Sequence, residues 1–114
     1  MVTLFGIPNC DTMKKARKWL TEQNVEYDFH DYKKAGIDKS TLQQWEKQVG
    51  WETLLNRRGM MWRKLSDEQK QTINRDNAIA IMLETPSIIK RPVLVKDKQI
   101  LVGFDEKQYQ SLFG

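Results

Sequence analysis

Val2-Thr3-Leu4-Phe5-Gly6-Ile7-Pro8-Asn9-Cys10-Asp11-Thr12 is the stretch on which the fold turns. Val2 to Gly6 is apolar and β-branched and reads as a strand. Ile7-Pro8-Asn9 is a short turn. Asp11 to Gln23 then reads as a helix, because Met13, Ala16, Trp19 and Leu20 recur at spacings that share one face. Cys10, the single cysteine among 114 residues, therefore stands where a strand and loop feed a helix. The first N–H groups of a helix lack intrahelical partners, and the positive end of its dipole lies there. Both favour thiolate over thiol. Thiolate is the nucleophile, so the position suggests sulfur chemistry.

Outward from this stretch, Val25, Tyr27 and Phe29 alternate with Glu26, Asp28 and His30 and predict a second strand. The first thirty-odd residues then form β-α-β, with a connection long enough for a parallel crossover. Gly36 opens a loop. Ser40 with Gln43 has the pattern of a capping box, and a helix is expected from there to about Val49, stopped by Gly50. Trp51 to Asn56 reads as a short helical turn and Arg57-Arg58-Gly59 as a loop. Ser66 with Gln69 gives a second capping box. Asn77 to Glu84 is helical until Thr85-Pro86, since proline disfavours helix at the residue before it. Arg91 to Val95 is the next strand, Asp97-Lys98 a hairpin turn, and Gln99 to Val102 the returning strand, ended by Gly103. Asp105 caps a last helix, Glu106 to Phe113.

Composition bounds the rest. A chain of this length fits one domain and can bury a core without disulfides. A lone cysteine fits a reducing compartment. The start of the chain reads as a strand with no basic n-region, so no signal peptide is expected. The longest apolar run, Ala78 to Leu83, is far too short to span a bilayer. A cytoplasmic protein with no membrane partner is the expectation. The formal charge is +4, from 19 basic and 15 acidic residues. The two signs are interspersed, which suits small anions better than nucleic acid.

β-α-β followed by β-β-α, with a cysteine opening the first helix, is the thioredoxin layout. Within it, four segments closely resemble the arsenate reductase ArsC/Spx/YffB family, its YffB-like branch above all. They are Gly6-Ile7-Pro8-Asn9-Cys10-Asp11-Thr12 with Lys15-Ala16; Leu54-Leu55-Asn56-Arg57-Arg58-Gly59; Trp62-Arg63-Lys64-Leu65; and Ile88-Ile89-Lys90-Arg91-Pro92-Val93. Together they cover essentially the whole chain in order. The resemblance implies one thioredoxin-like α/β domain over residues 1–114, with an α-helical insert at about 38–85 between strands two and three. It also implies that Pro92 is a cis-proline facing the active cysteine.

The site expected on these grounds has Cys10 as nucleophile, with substrate or anion binding by Asn9, Thr12, Arg58, Arg91 and Pro92. Thr12 and the first-turn amides can donate hydrogen bonds to the thiolate, although Thr12 equally fits ordinary helix-start polarity. Asp11 is a like charge beside the sulfur and opposes ionisation, with Lys14, Lys15, Arg58 and Arg91 as cations that can outweigh it. By resemblance, Arg91 matches the arginine that binds the oxyanion on the cysteine in arsenate reductases. Arg58 matches a second such arginine, with Arg57 one residue out of register. The third arginine of those enzymes falls on Gly103 here. A guanidinium offers a forked donor pair for oxyanions and carboxylates and keeps its charge.

Met13 stands where a Cys-x-x-Cys motif would have its second thiol, so a mixed disulfide on Cys10 needs an outside thiol to resolve it. Glutathione as co-substrate, or a glutaredoxin, is the expected partner, with no bound cofactor. The expected activity is that of a glutathione-dependent thiol reductase acting on a small anionic or disulfide substrate. Two alternatives stand beside it: a glutathione- or glutaredoxin-linked arsenate reductase, and an Spx-like regulator that binds RNA polymerase. His30 has no cysteine or histidine neighbour in sequence, which argues against a metal site.

Overall fold

The computed structural model describes residues 1–114. Strand β1 (Val2–Gly6) leads through Ile7-Pro8-Asn9 into helix α1 (Asp11–Glu22). Strand β2 (Asp28–Asp31) pairs parallel to β1. β3 (Val93–Lys96) pairs antiparallel to the other side of β1, and β4 (Gln99–Val102) pairs antiparallel to β3. The sheet order is β2-β1-β3-β4. Helices α2 (Tyr32–Ala35), α3 (Lys39–Val49), α4 (Trp51–Leu54), α5 (Met60–Arg63), α6 (Asp67–Gln71) and α7 (Arg75–Glu84) lie between β2 and β3 in the chain, and α8 (Glu106–Phe113) closes it. This is the thioredoxin-like α/β layout with a helical insertion. No helix is long and apolar enough to cross a membrane.

The residues gather into two compact units, Met1–Ala35 with Arg91–Gly114, and Gly36–Lys90. In the first, the sheet contributes Val2, Leu4 and Leu94 to a core completed by Met13, Ala16, Trp19 and Leu20 of α1 and Tyr109 of α8. The period-two burial of β1 sends Val2, Leu4 and Gly6 inward. The apolar stripe of α1 falls on the four positions that its spacing picks out. Asp105 caps α8 by accepting the Lys107 and Gln108 N–H groups at 2.9 and 3.2 Å. Asp97, with φ +56°, makes the tight turn between β3 and β4.

Gly6 is required by packing rather than by backbone conformation. A Cβ there would collide with Met13 Sδ and lie 2.8 Å from Met13 Cε. Met13 is fully buried, so its thioether must shift within the core to make room. Gly6→Ala is therefore expected to lower stability by about 1–3 kcal/mol, the usual cost of overpacking, read as a lower urea midpoint. With Met13 already cut to Ala, the same change should add little, because the two effects share one contact. An unchanged midpoint for Gly6→Ala alone would contradict this packing.

In the second unit, Leu42, Trp45, Leu54, Leu55, Ala78, Ile79, Met82, Ile88 and Ile89 are buried. An antiparallel bridge joins Leu55 to Ile89, flanked by bonds from Asn56 N–H to the Ile88 carbonyl (2.9 Å) and from Lys90 N–H to the Leu54 carbonyl (2.7 Å). Gly50, with φ +84°, ends α3 as its position in the sequence suggests. Ser66 and Gln69 form a complete reciprocal capping box at α6.

Several local expectations are corrected. β2 begins at Asp28, later than the alternation from Val25 suggests. Asn24 adopts φ +57°, and the Asn24 and Val25 N–H groups bond back to Thr21 and Leu20, so closing α1 consumes the residues that would open the strand. Ser40 is not a cap. Extended Asp38 takes the N-cap position, its carbonyl accepts the Leu42 N–H at 3.0 Å, and Ser40 falls inside the first turn. α7 begins at Arg75 because Asn74 caps it through the Asn77 N–H. The one-turn helices α2 and α5 are too short to leave a periodic signal.

Candidate functional site

Cys10 is the N-cap residue of α1, with extended backbone (φ −134°, ψ 132°). Its carbonyl accepts the first helical bond, from Lys14 N–H at 3.0 Å. Its side chain is half-buried against the edge of the first unit's core. Sγ makes no cap bond of conventional geometry. It nevertheless lies within reach of the Met13 and Thr12 N–H groups and of the Arg91 guanidinium. Burial alone would push the thiol up. The Met13 amide, the Arg91 guanidinium and the Thr12 amide together outweigh it, and the thiol settles below its ordinary value.

The cation responsible is Arg91. Lys14 and Lys15 project into solvent from the first turn, and Asp11 is exposed beside them. Thr12 contributes through its backbone rather than its hydroxyl. Asn9 is exposed in the turn between β1 and α1.

Arg91 reaches the sulfur because of where the chain turns. The Arg91-Pro92 peptide bond is cis, and Pro92 is buried. Phe5 stands opposite Val93 in the β1–β3 pairing, so Arg91 and Pro92 lie just beyond the end of β1 that leads to Cys10. Gly103 N–H donates to the Pro92 carbonyl at 2.8 Å. Gly103 itself has φ +80°, a left-handed conformation that glycine adopts without strain and an arginine does not. At the position where resemblance expects a third arginine, the structure has a backbone link to the cis-proline.

Tyr32 joins this edge. Asp31 pairs in register with Gly6, so Tyr32 follows the end of β2 beside the end of β1. Its ring packs near Phe5 and His30, at 6.3 and 6.2 Å between centroids. Burial drives its hydroxyl strongly upward and keeps it neutral, while the Arg91 charge pulls weakly the other way. Sequence offered no sign of this residue, since one tyrosine before Lys33-Lys34 looks like any half-exposed aromatic. His30 is a ring-packing residue, 4.6 Å from Phe5 between centroids.

Arg58 lies in the helical unit, where a cavity of about 410 Å³ is lined by Glu52, Leu55, Asn56, Arg57, Arg58 and Lys90. Asn56 Oδ1 accepts the Arg58 N–H at 3.0 Å and fixes the loop. The guanidinium of Arg57 stacks over Trp51 and Trp62, at 5.6 and 5.7 Å from their centroids. Arg57 is thus committed to two indoles, and Arg58 is the neighbour with no such hold. Of the residues singled out from sequence, Cys10, Thr12, Arg91 and Pro92 come together in one unit, whereas Arg58 belongs to the other.

A model of the ArsC family matches residues 5–112. A YffB protein of solved structure is 49% identical, with 100% of each chain covered and a TM-score of 0.96. An uncharacterized protein of Haemophilus influenzae is 44% identical over 114 residues, again covering 100% of both chains. A global transcriptional regulator Spx from Streptococcus agalactiae is 26% identical over 113 residues, covering 97% of this chain and 82% of its own.

Proposed function

The chain belongs to the ArsC family, and from that we propose that it is a glutathione-dependent thiol reductase working through Cys10. The Cys10 thiolate attacks one sulfur of a disulfide RS–SR, forms a Cys10–S–S–R mixed disulfide and expels RS⁻. A glutathione thiolate then attacks the mixed disulfide, forms the glutathione–substrate disulfide and returns Cys10 as thiolate. A second glutathione thiolate attacks that disulfide, forms oxidised glutathione and releases the remaining RS⁻, so two glutathiones supply the two electrons that reduce the substrate disulfide. The first-turn backbone and Arg91 favour the ionised form of the sulfur, and by family resemblance Pro92 faces it.

The observation that carries this reading is a lone thiol lowered by two amides and an arginine, with Met13 buried at the position of a resolving cysteine. An external thiol must complete the cycle. Asn9, Thr12 and Arg58 are assigned to substrate or anion binding by family resemblance, and the cationic lining around Arg58 agrees with an anionic group. In the assay, oxidised glutathione should add one glutathione to the intact protein at Cys10. Reduction of 2-hydroxyethyl disulfide, coupled through glutathione reductase to NADPH, should then depend on both protein and glutathione. Absence of the adduct, with no coupled turnover, would overturn the reading.

Arsenate reduction is the second reading, favoured by the family and by Arg91. Gly103 weighs against it, since an arsenate ester on Cys10 would lack one cationic partner. No arsenate-dependent NADPH oxidation is expected with glutathione and glutaredoxin supplied. A regulator acting through polymerase would instead co-purify with polymerase subunits irrespective of Cys10.

A further inference from the structure

Tyr32 carries a feature that the proposed reaction cycle does not use. Its side chain is 2% exposed, and its hydroxyl oxygen is enclosed with no hydrogen-bond partner. Enclosing a hydroxyl without a partner is costly, and few such groups occur in a native interior. The facing rings are Phe5 and His30, and the one charge that acts on it is Arg91. The hydroxyl stays neutral and keeps its lone pairs. Arg91 is the group that also reaches Cys10 Sγ. One guanidinium, at the end of β1 where Tyr32 also lies, therefore acts on both an ionisable sulfur and a buried, unfilled acceptor.

These two acceptors are not equal in both states of the cycle. A thiolate is a strong acceptor for a guanidinium. The same sulfur in a mixed disulfide is neutral and a poor one. When Cys10–S⁻ attacks oxidised glutathione to give Cys10–S–SG and GS⁻, Arg91 loses the charge that holds its donor. We propose that Tyr32 is a positioning residue whose hydroxyl takes up the Arg91 guanidinium when Cys10 is in the mixed-disulfide state, so that Arg91 is shared between sulfur and phenol according to redox state. This rests on the thiol-reductase reading and adds to it a residue that sets the balance between the reduced and glutathionylated forms.

The test is the equilibrium of full-length protein with buffered reduced and oxidised glutathione, measured by intact mass, for wild type, Tyr32→Phe, Arg91→Met and the double variant. Tyr32→Phe removes one oxygen and should leave circular dichroism and the pH midpoint of Cys10 alkylation unchanged. It should shift the equilibrium about tenfold toward the reduced form, the size of one hydrogen bond to a charged group. In the Arg91→Met background the same change should shift nothing, because its partner is gone. An unshifted equilibrium in Tyr32→Phe, a shift that persists without Arg91, or loss of the fold would each overturn the proposal. If wild type itself forms no adduct, the thiol-reductase reading falls and takes this proposal with it. If wild type forms the adduct and Tyr32→Phe matches it, the proposal falls alone.

Discussion

Cys10→Ser is expected to abolish mixed-disulfide formation completely while leaving the fold intact. The chain has no other sulfur that can form a disulfide, since Cys10 is its single cysteine. A serine hydroxyl at the same N-cap position is a good helix-capping group, so α1 should not suffer. The effect on stability has a definite sign with pH. The folded thiol lies below its ordinary value. Its ionisation therefore adds stability in full above the unfolded thiol's pKa of about 8.5, and the contribution fades as pH falls through the lower folded value. Serine lacks it. The stability gap between the two proteins should widen as pH rises and shrink as pH falls through the folded thiol's lowered value, read by thermal melts across pH. Residual glutathione adduct on the Cys10→Ser protein, or a gap that widens toward acid, would contradict the assignment.

Arg91→Met should be the next most damaging change. Arg91 contributes both a hydrogen bond and a charge to the sulfur. Methionine keeps much of the bulk and removes both. The rate of Cys10 alkylation near neutral pH should fall roughly tenfold, about what one hydrogen bond to a charged group contributes. At alkaline pH, where either thiol is ionised, the two proteins should converge, because the loss lies in thiolate population rather than access. Arg91→Lys should fall between them, since an ammonium keeps the charge but not the fork. A uniform loss at every pH would mean that Arg91 shapes the pocket rather than the ionisation.

The parts of this molecule that were legible in the sequence share a physical cause. β1, α1, the β3–β4 hairpin and the Asp105 cap each combine a strong period with a local turn or capping signal, although β3 runs Val93–Lys96 rather than from Arg91 to Val95. Cys10 announced itself by lying at such a junction. β2 was misplaced because Val25 fits a strand by pattern but was needed to close α1. Ser40 with Gln43 imitated a cap, while Asp38 two residues earlier took the position by adopting extended backbone.

The net ionisation of Cys10 was not legible. Asp11, Lys14 and Lys15 are its neighbours in sequence, yet all three face solvent. The charge that matters arrives from Arg91, on the far side of the insertion. Tyr32 was invisible for the same reason, since an enclosed hydroxyl is a property of packing and leaves no trace in one residue letter.

The most direct measurement is the rate of Cys10 alkylation by a neutral reagent between pH 4 and pH 10, on the wild-type protein. If the two first-turn amides and Arg91 hold the sulfur ionised, the rate will rise through a single titration whose midpoint lies below that of a free cysteine in the same buffer. A midpoint at or above the free cysteine's would mean that burial wins at this sulfur, and the nucleophile at the centre of this account would not exist.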